Sequence, residues 1–74
     1  MRNGRYPEAA GAFERAVQLN PDWDLAHKNL GVVYLQFLDR KKEGRKHLVK
    51  ALKLNPEMKD ADRIREMINL EEPL

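Results

Sequence analysis

The sequence contains no cysteine and no serine. Without thiols it has no disulfide to staple a small fold and no thiolate to hold a metal, and that weakly favours a reducing compartment. The two histidines, His27 and His47, have no cysteine or carboxylate companions at metal-ligand spacing. No glycine-rich loop is present to cradle a phosphate. These absences argue against an enzyme, a bound metal and a cofactor. The longest apolar runs are a few residues, far below the roughly 18 needed to cross a bilayer. The opening Met1-Arg2-Asn3-Gly4-Arg5 is not followed by the apolar stretch of a signal peptide. The expectation is a soluble cytoplasmic domain with no membrane span.

Length is the next constraint. Seventy-four residues make one small domain at most. A chain of this size buries only about 60% of its unfolded surface, and a single core supplies roughly 3–5 kcal/mol. Hydrophobic residues make up 42% and charged residues 35%, which suits a helical domain with one apolar side per helix.

What the chain does have is one phrase used twice. Ala9-x-x-x-Phe13-x-x-Ala16-Val17-x-Leu19-Asn20-Pro21 returns as Gly44-x-x-x-Leu48-x-x-Ala51-Leu52-x-Leu54-Asn55-Pro56, every position offset by 35. Self-similarity at a period near 34 points to stacked helix–turn–helix units. Pro7 and Glu8 suit the first turn of a helix running to Leu19, and Pro21 ends it by excluding Asn20 from the α region. Asp22 is a plausible cap for a second helix from Trp23 to Leu38. Asp39 serves likewise for a third from Arg40 to Leu54, and a fourth runs from Glu57 to Leu70. Asn3-Gly4 reads as a turn, and residues 71–74 should fray.

The second helix is apolar on two sides. Ala26, Leu30, Val33, Tyr34 and Phe37 share one; Leu25, Lys28, Asn29, Val32, Leu35 and Gln36 share the other. Gly31 in its interior costs about 1 kcal/mol relative to alanine, which implies a packing reason.

His27-x-x-Leu30-Gly31-x-x-Tyr34, then Gly44-x-x-x-Leu48 and Pro56, resembles the tetratricopeptide repeat. The resemblance implies an all-α fold, a short α-solenoid of antiparallel helix hairpins with about four helices. Residues 4–21 correspond to a partial repeat lacking its first helix, 24–56 to a complete repeat, and 57–70 to a capping helix with a polar outer face. Gly31 and Gly44 would let two backbones approach. The pattern's aromatic position holds His27, with Trp23 one turn earlier to fill part of that volume. Leu38 stands where a turn glycine is common, and the extra residue of the 35-residue spacing reads as an insertion between Leu38 and Lys42.

Members of this family bind proteins or peptides in a groove lined by first helices. Carried onto this chain, the partner-binding groove is Leu25, Lys28, Asn29, Val32, Leu35 and Gln36. Asp60 and Ile64 replace two basic residues with which some members grip an acidic chaperone tail, which argues against that specific activity. The missing first helix leaves Ala9, Phe13 and Ala16 as a candidate self-association face in a homodimer. A stretch of a longer repeat array, with that face tolerated or self-covered, is the alternative. A separate candidate is a basic surface on the third helix: Arg40, Lys41, Lys42, Arg45, Lys46, Lys50 and Lys53. With Glu43 these give +6, leaving −4 for the rest of a chain whose total is +2. Such asymmetry can mark contact with nucleic acid or an anionic surface. No aromatics interleave with these cations, which disfavours nucleic acid.

Overall fold

A computed structural model describes residues 5–70. The turn expected at Asn3-Gly4 and the fraying expected at 71–74 lie outside the described residues. Helix α1 spans Tyr6–Leu19 with Pro7 in its first turn, where the missing N–H has no helical partner to lose. It stops at Asn20, whose backbone is held at φ −143° and whose N–H donates to the Ala16 carbonyl at 2.9 Å. Helix α3, Lys41–Leu54, stops in the same way at Asn55, with φ −147° and an N–H bond to Ala51 at 2.9 Å. The same turn follows each. Trp23 N–H donates to the Asn20 carbonyl at 3.1 Å, and Met58 N–H donates to the Asn55 carbonyl at 3.2 Å. The repeated phrase therefore repeats as geometry, and extends to Trp23 and Met58, which share no residue type.

Helix α2 spans Asp24–Val32 and runs on as a widened π-turn over Val33–Phe37. The expected cap at Asp22 is not used. Trp23 flanks the helix, with no side-chain cap bond. Leu38 N–H donates to the Val33 carbonyl at 3.0 Å, five residues back, and Arg40 N–H donates to Tyr34 at 2.8 Å. A π-turn accommodates one additional residue within a helix. The extra residue of the 35-residue period is thus taken up in 33–37 and not in the link after Leu38 alone. The left-handed position of this link is Asp39 (φ 56°), one residue beyond Leu38, and Arg40, not Asp39, flanks α3.

Helix α4 spans Ala61–Leu70, four residues shorter at its start than the sequence suggests. Residues 57–60 form turns instead, because this path drives Met58 into the core, where it is 7% exposed. Ala61 N–H then closes onto the Met58 carbonyl at 3.0 Å. Ala61 and Ile64 face inward, with Met67 and Ile68 packed beside them. Arg65, Glu66 and Asn69 face outward, and the Arg65 guanidinium donates to the Pro56 carbonyl at 3.1 Å.

These four helices, with no strand among the described residues, pack as a row with α2 between α1 and α3. Both apolar sides of α2 are covered. Leu30, Val33 and Tyr34 join Ala10 of α1, with Tyr6, Phe13, Val17 and Leu38 packed around them. Leu35 joins Leu48 and Ala51 of α3 with Met58, Ala61 and Ile64. At the π-turn the Phe37 ring stacks on Tyr6, centroids 4.1 Å apart and planes 4° from parallel, tying α1 to the far end of α2. Asn55 Nδ2 donates to Asp24 Oδ2 at 2.9 Å, joining the end of α3 to the start of α2.

The α2–α3 crossing has no room for side chains at its centre. A methyl on Gly44 would lie 2.9 Å from the Gly31 carbonyl oxygen and 2.9 Å from the Leu35 backbone nitrogen. One on Gly31 would lie 2.7 Å from Leu48 Cγ and 2.9 Å from the Gly44 carbonyl oxygen. Gly11, in α1, has nothing within 4 Å of its would-be methyl. Gly44→Ala is expected to lower stability by about 1–3 kcal/mol through overpacking against backbone that cannot yield. Gly11→Ala should raise it by about 0.5–1 kcal/mol through helix propensity. Urea unfolding followed by circular dichroism checks both, and equal effects at the two glycines would refute the crossing as the cause.

Candidate interaction surfaces

The two copies of the repeated phrase differ in what covers them. In α3, Gly44, Leu48 and Ala51 lie against α2 and are buried. Their counterparts in α1, Ala9, Phe13 and Ala16, are all half-buried. Phe13 turns toward α2 and joins the cluster around Leu30 and Tyr34, so it is partly covered by the chain itself. The α1 residue that is buried outright is Ala10, not Ala9. At the end of the same helix Leu19 is 82% exposed, and beyond it Trp23 and Leu25 are 47% and 48% exposed. Trp23 therefore does not fill the aromatic position of the repeat; His27 occupies that space itself, 7% exposed.

The groove residues separate. Lys28, Val32 and Gln36 line a cleft of about 250 Å³ between α2 and α4, facing Asp60, Arg63, Ile64 and Met67. Lys28 Nζ donates to Asp60 Oδ2 at 3.1 Å across it, so the ammonium is already matched to a carboxylate. Leu25 stands outside the cleft, exposed, and Asn29 is half-buried. Leu35 does not form a groove floor: it is 6% exposed in the core against α3. The period of a helix puts residue 35 on the same side as 28 and 32; Val32 packs against the same core cluster, and Leu35 lies deeper in it.

The basic residues also divide. Arg40 lies 3.4 Å from Glu43 and sits over the Tyr34 ring at 5.9 Å. Lys41 approaches Asp39 at 3.8 Å. Lys42, Arg45, Lys46, Lys50 and Lys53 line one hollow of about 540 Å³ with Val49, His47 and His27. At its inner wall His27 Nε2 lies 2.8 Å from the Pro21 carbonyl oxygen, and His27 Nδ1 lies 3.1 Å from His47 Nδ1. A carbonyl only accepts, so His27 Nε2 donates to it, and in a neutral ring that leaves His27 Nδ1 to accept from the Nδ1–H of His47. The sequence marked His27 as inward-facing but gave no sign of this pairing, because the partners lie 20 residues apart on different helices. No group of three or more metal-ligating side chains occurs among the described residues.

Residues 1–36 match the family described as TPR repeat. The matched residues carry a TPR-family repeat. The matched stretch takes in α1, the turn at 20–23 and most of the second helix. No curated protein and no solved structure matches the chain. TPR repeats form a non-catalytic interaction fold that generally mediates contact between proteins. No helix among the described residues is long and apolar enough to cross a membrane.

The contact between the two histidines makes the joint of α2 and α3 sensitive to the protonation of His47. The His47 imidazole is held below its ordinary value, chiefly by burial, then by His27 and Lys46, with Glu14 and Glu43 opposing. An unfolded chain therefore takes up this proton at a higher pH than the folded one does. That contribution to stability is intact above about pH 6.5 and is lost as pH falls through the lowered folded value. The urea midpoint should drop between about pH 7.5 and pH 5.5, and His47→Asn, which keeps a donor toward His27, should drop less. Identical pH profiles for the two proteins would refute the assignment.

Proposed function

We propose that this chain is a protein-interaction module that binds through the side of α1 left open at Ala9, Ala16 and the part of Phe13 that α2 does not cover, and that the helix it takes there comes from a second copy. The carrying observation is the contrast within one chain. The same phrase is buried beneath a helix at Gly44, Leu48 and Ala51, and only half-buried at Ala9, Phe13 and Ala16. Small side chains at 9 and 16 would admit a helix close to α1, though the Ala9 methyl holds it farther off than Gly44 holds α2. Exposed Leu19, Trp23 and Leu25 extend the apolar area toward the start of α2, and burying such area yields about 25 cal/mol per Å². A two-fold arrangement would bring the same patch of both copies together, as closed dimers require.

Sedimentation equilibrium is the direct test. Dimers are expected at tens of micromolar, about the range of a modest interface. Ala16→Glu, with helicity verified by circular dichroism, should weaken self-association by about tenfold or more, because a carboxylate on this side would be buried without a partner. A folded monomer at every concentration, or a variant that dimerises as well as the parent, would refute the proposal.

A further inference from the structure

We propose that Lys42, Lys46, Lys50 and Lys53, on the outer side of α3, form a docking stripe for an acidic amphipathic helix of a partner protein. Four observations lead there. First, the lysines of this row differ from most cations near the helix junctions. Lys28, Arg40, Lys41 and Arg65 each stand near a carboxylate, whereas Lys42, Lys46, Lys50 and Lys53 carry no ion pair among the described residues. All four are exposed. Second, they recur at four-, four- and three-residue intervals within one 14-residue helix. At 1.5 Å per residue this is a straight row about 16 Å long, and carboxylates at the same intervals on a partner helix would form a matching row.

Third, the row borders a hollow and not a flat surface. The hollow, about 540 Å³, has no carboxylate among its lining residues, and Val49 is one of them, 38% exposed. Lysine stems and Val49 supply an apolar seam beneath the charges, which suits a ligand that is apolar along its centre and acidic along its edges. Fourth, the row is one helix wide. Glu43 and Glu14 both act on His47 at its inner wall, so cations give way to acids beside it. A duplex presents phosphates on both sides of a groove about 12 Å wide and would need a second basic row. A single helix, about 10 Å across, does not. This surface is separate from the open side of α1, so a monomeric result in sedimentation leaves the present proposal standing.

The test uses the whole chain and fluorescence anisotropy at about 0.15 M salt, where weak unscreened attraction is damped. The probes are a labelled Leu/Ala/Glu peptide with glutamates at the lysine intervals, a scrambled peptide of equal composition, and a mixed-sequence duplex DNA. The patterned peptide should bind at least about tenfold more tightly than either competitor. Lys46→Gln with Lys50→Gln should weaken it by about tenfold or more. Val49→Gln should weaken it several-fold while leaving the helix content unchanged. Equal binding of patterned and scrambled peptides would reduce the stripe to unspecific charge and overturn the proposal. So would tighter binding of the duplex, indifference to the lysine changes, or no binding of the patterned peptide.

Discussion

The structure depends on the approach of two backbones at Gly31 and Gly44. Each glycine lies within 3 Å of where the other's helix would meet a methyl group, so α2 and α3 touch main chain to main chain. That proximity is what brings Leu48 and Ala51 of α3 fully under α2. It also sets the reach of everything at the ends of the hairpin. His47 meets His27 on one side of the crossing, and Leu35 meets the Gly44 region on the other. At the bottom, Asn55 reaches the carboxylate of Asp24. A bulkier crossing would move α3 outward and loosen all of these together. Two glycines in helix interiors cost about 2 kcal/mol in propensity, and tight burial of Leu30 and Leu48 offsets that cost.

Much of this was legible in the sequence because it follows from short-range periodicity. The repeated phrase located both Asn-Pro helix ends, helical spacing located the two apolar sides of α2, and a glycine inside a helix pointed to close approach at Gly31. The parts that were not legible share a cause: each depends on a local change of helical pitch or on a contact between distant segments. The π-turn at 33–37 has no compositional marker, and neither does the burial of Leu35 against α3. Met58 reads as polar-flanked and unremarkable, yet it enters the core and delays α4 to Ala61. Trp23 reads as a large apolar anchor, yet it remains half-exposed because no helix lies over it. The histidine pair required knowing how α2 and α3 register, which only the crossing decides.

The paired phrases separate what a residue type dictates from what its neighbours dictate. Asn20 and Asn55 end their helices identically, through the same backbone geometry. Only Asn55 has a further partner in Asp24, because only α3 has its hairpin helix beside it. Leu19 and Leu54 occupy the same position and differ greatly in exposure. Local structure is therefore written into the phrase, while burial is conferred by the adjoining helix. This is why a repeat protein can present the same sequence as core in one place and as surface in another.

Charge follows the same logic of position. Where α3 meets the linker, Arg40 and Lys41 settle against Glu43, Asp39 and the Tyr34 ring, and stay close to home. Along the rest of the helix the side facing α2 is apolar, so every cation is forced onto the outer side, where spacing alone aligns them. Repulsion among four aligned ammonium groups is tolerable in water at physiological ionic strength, where screening acts over about 8 Å. It offers the fold no stabilisation, and i,i+4 like-charge pairs cost a few tenths of a kcal/mol each. Packing within the chain accounts for the apolar side of α3 and leaves the lysine row unexplained. An external anion of matching period would balance that row, as the partner helix we propose would do.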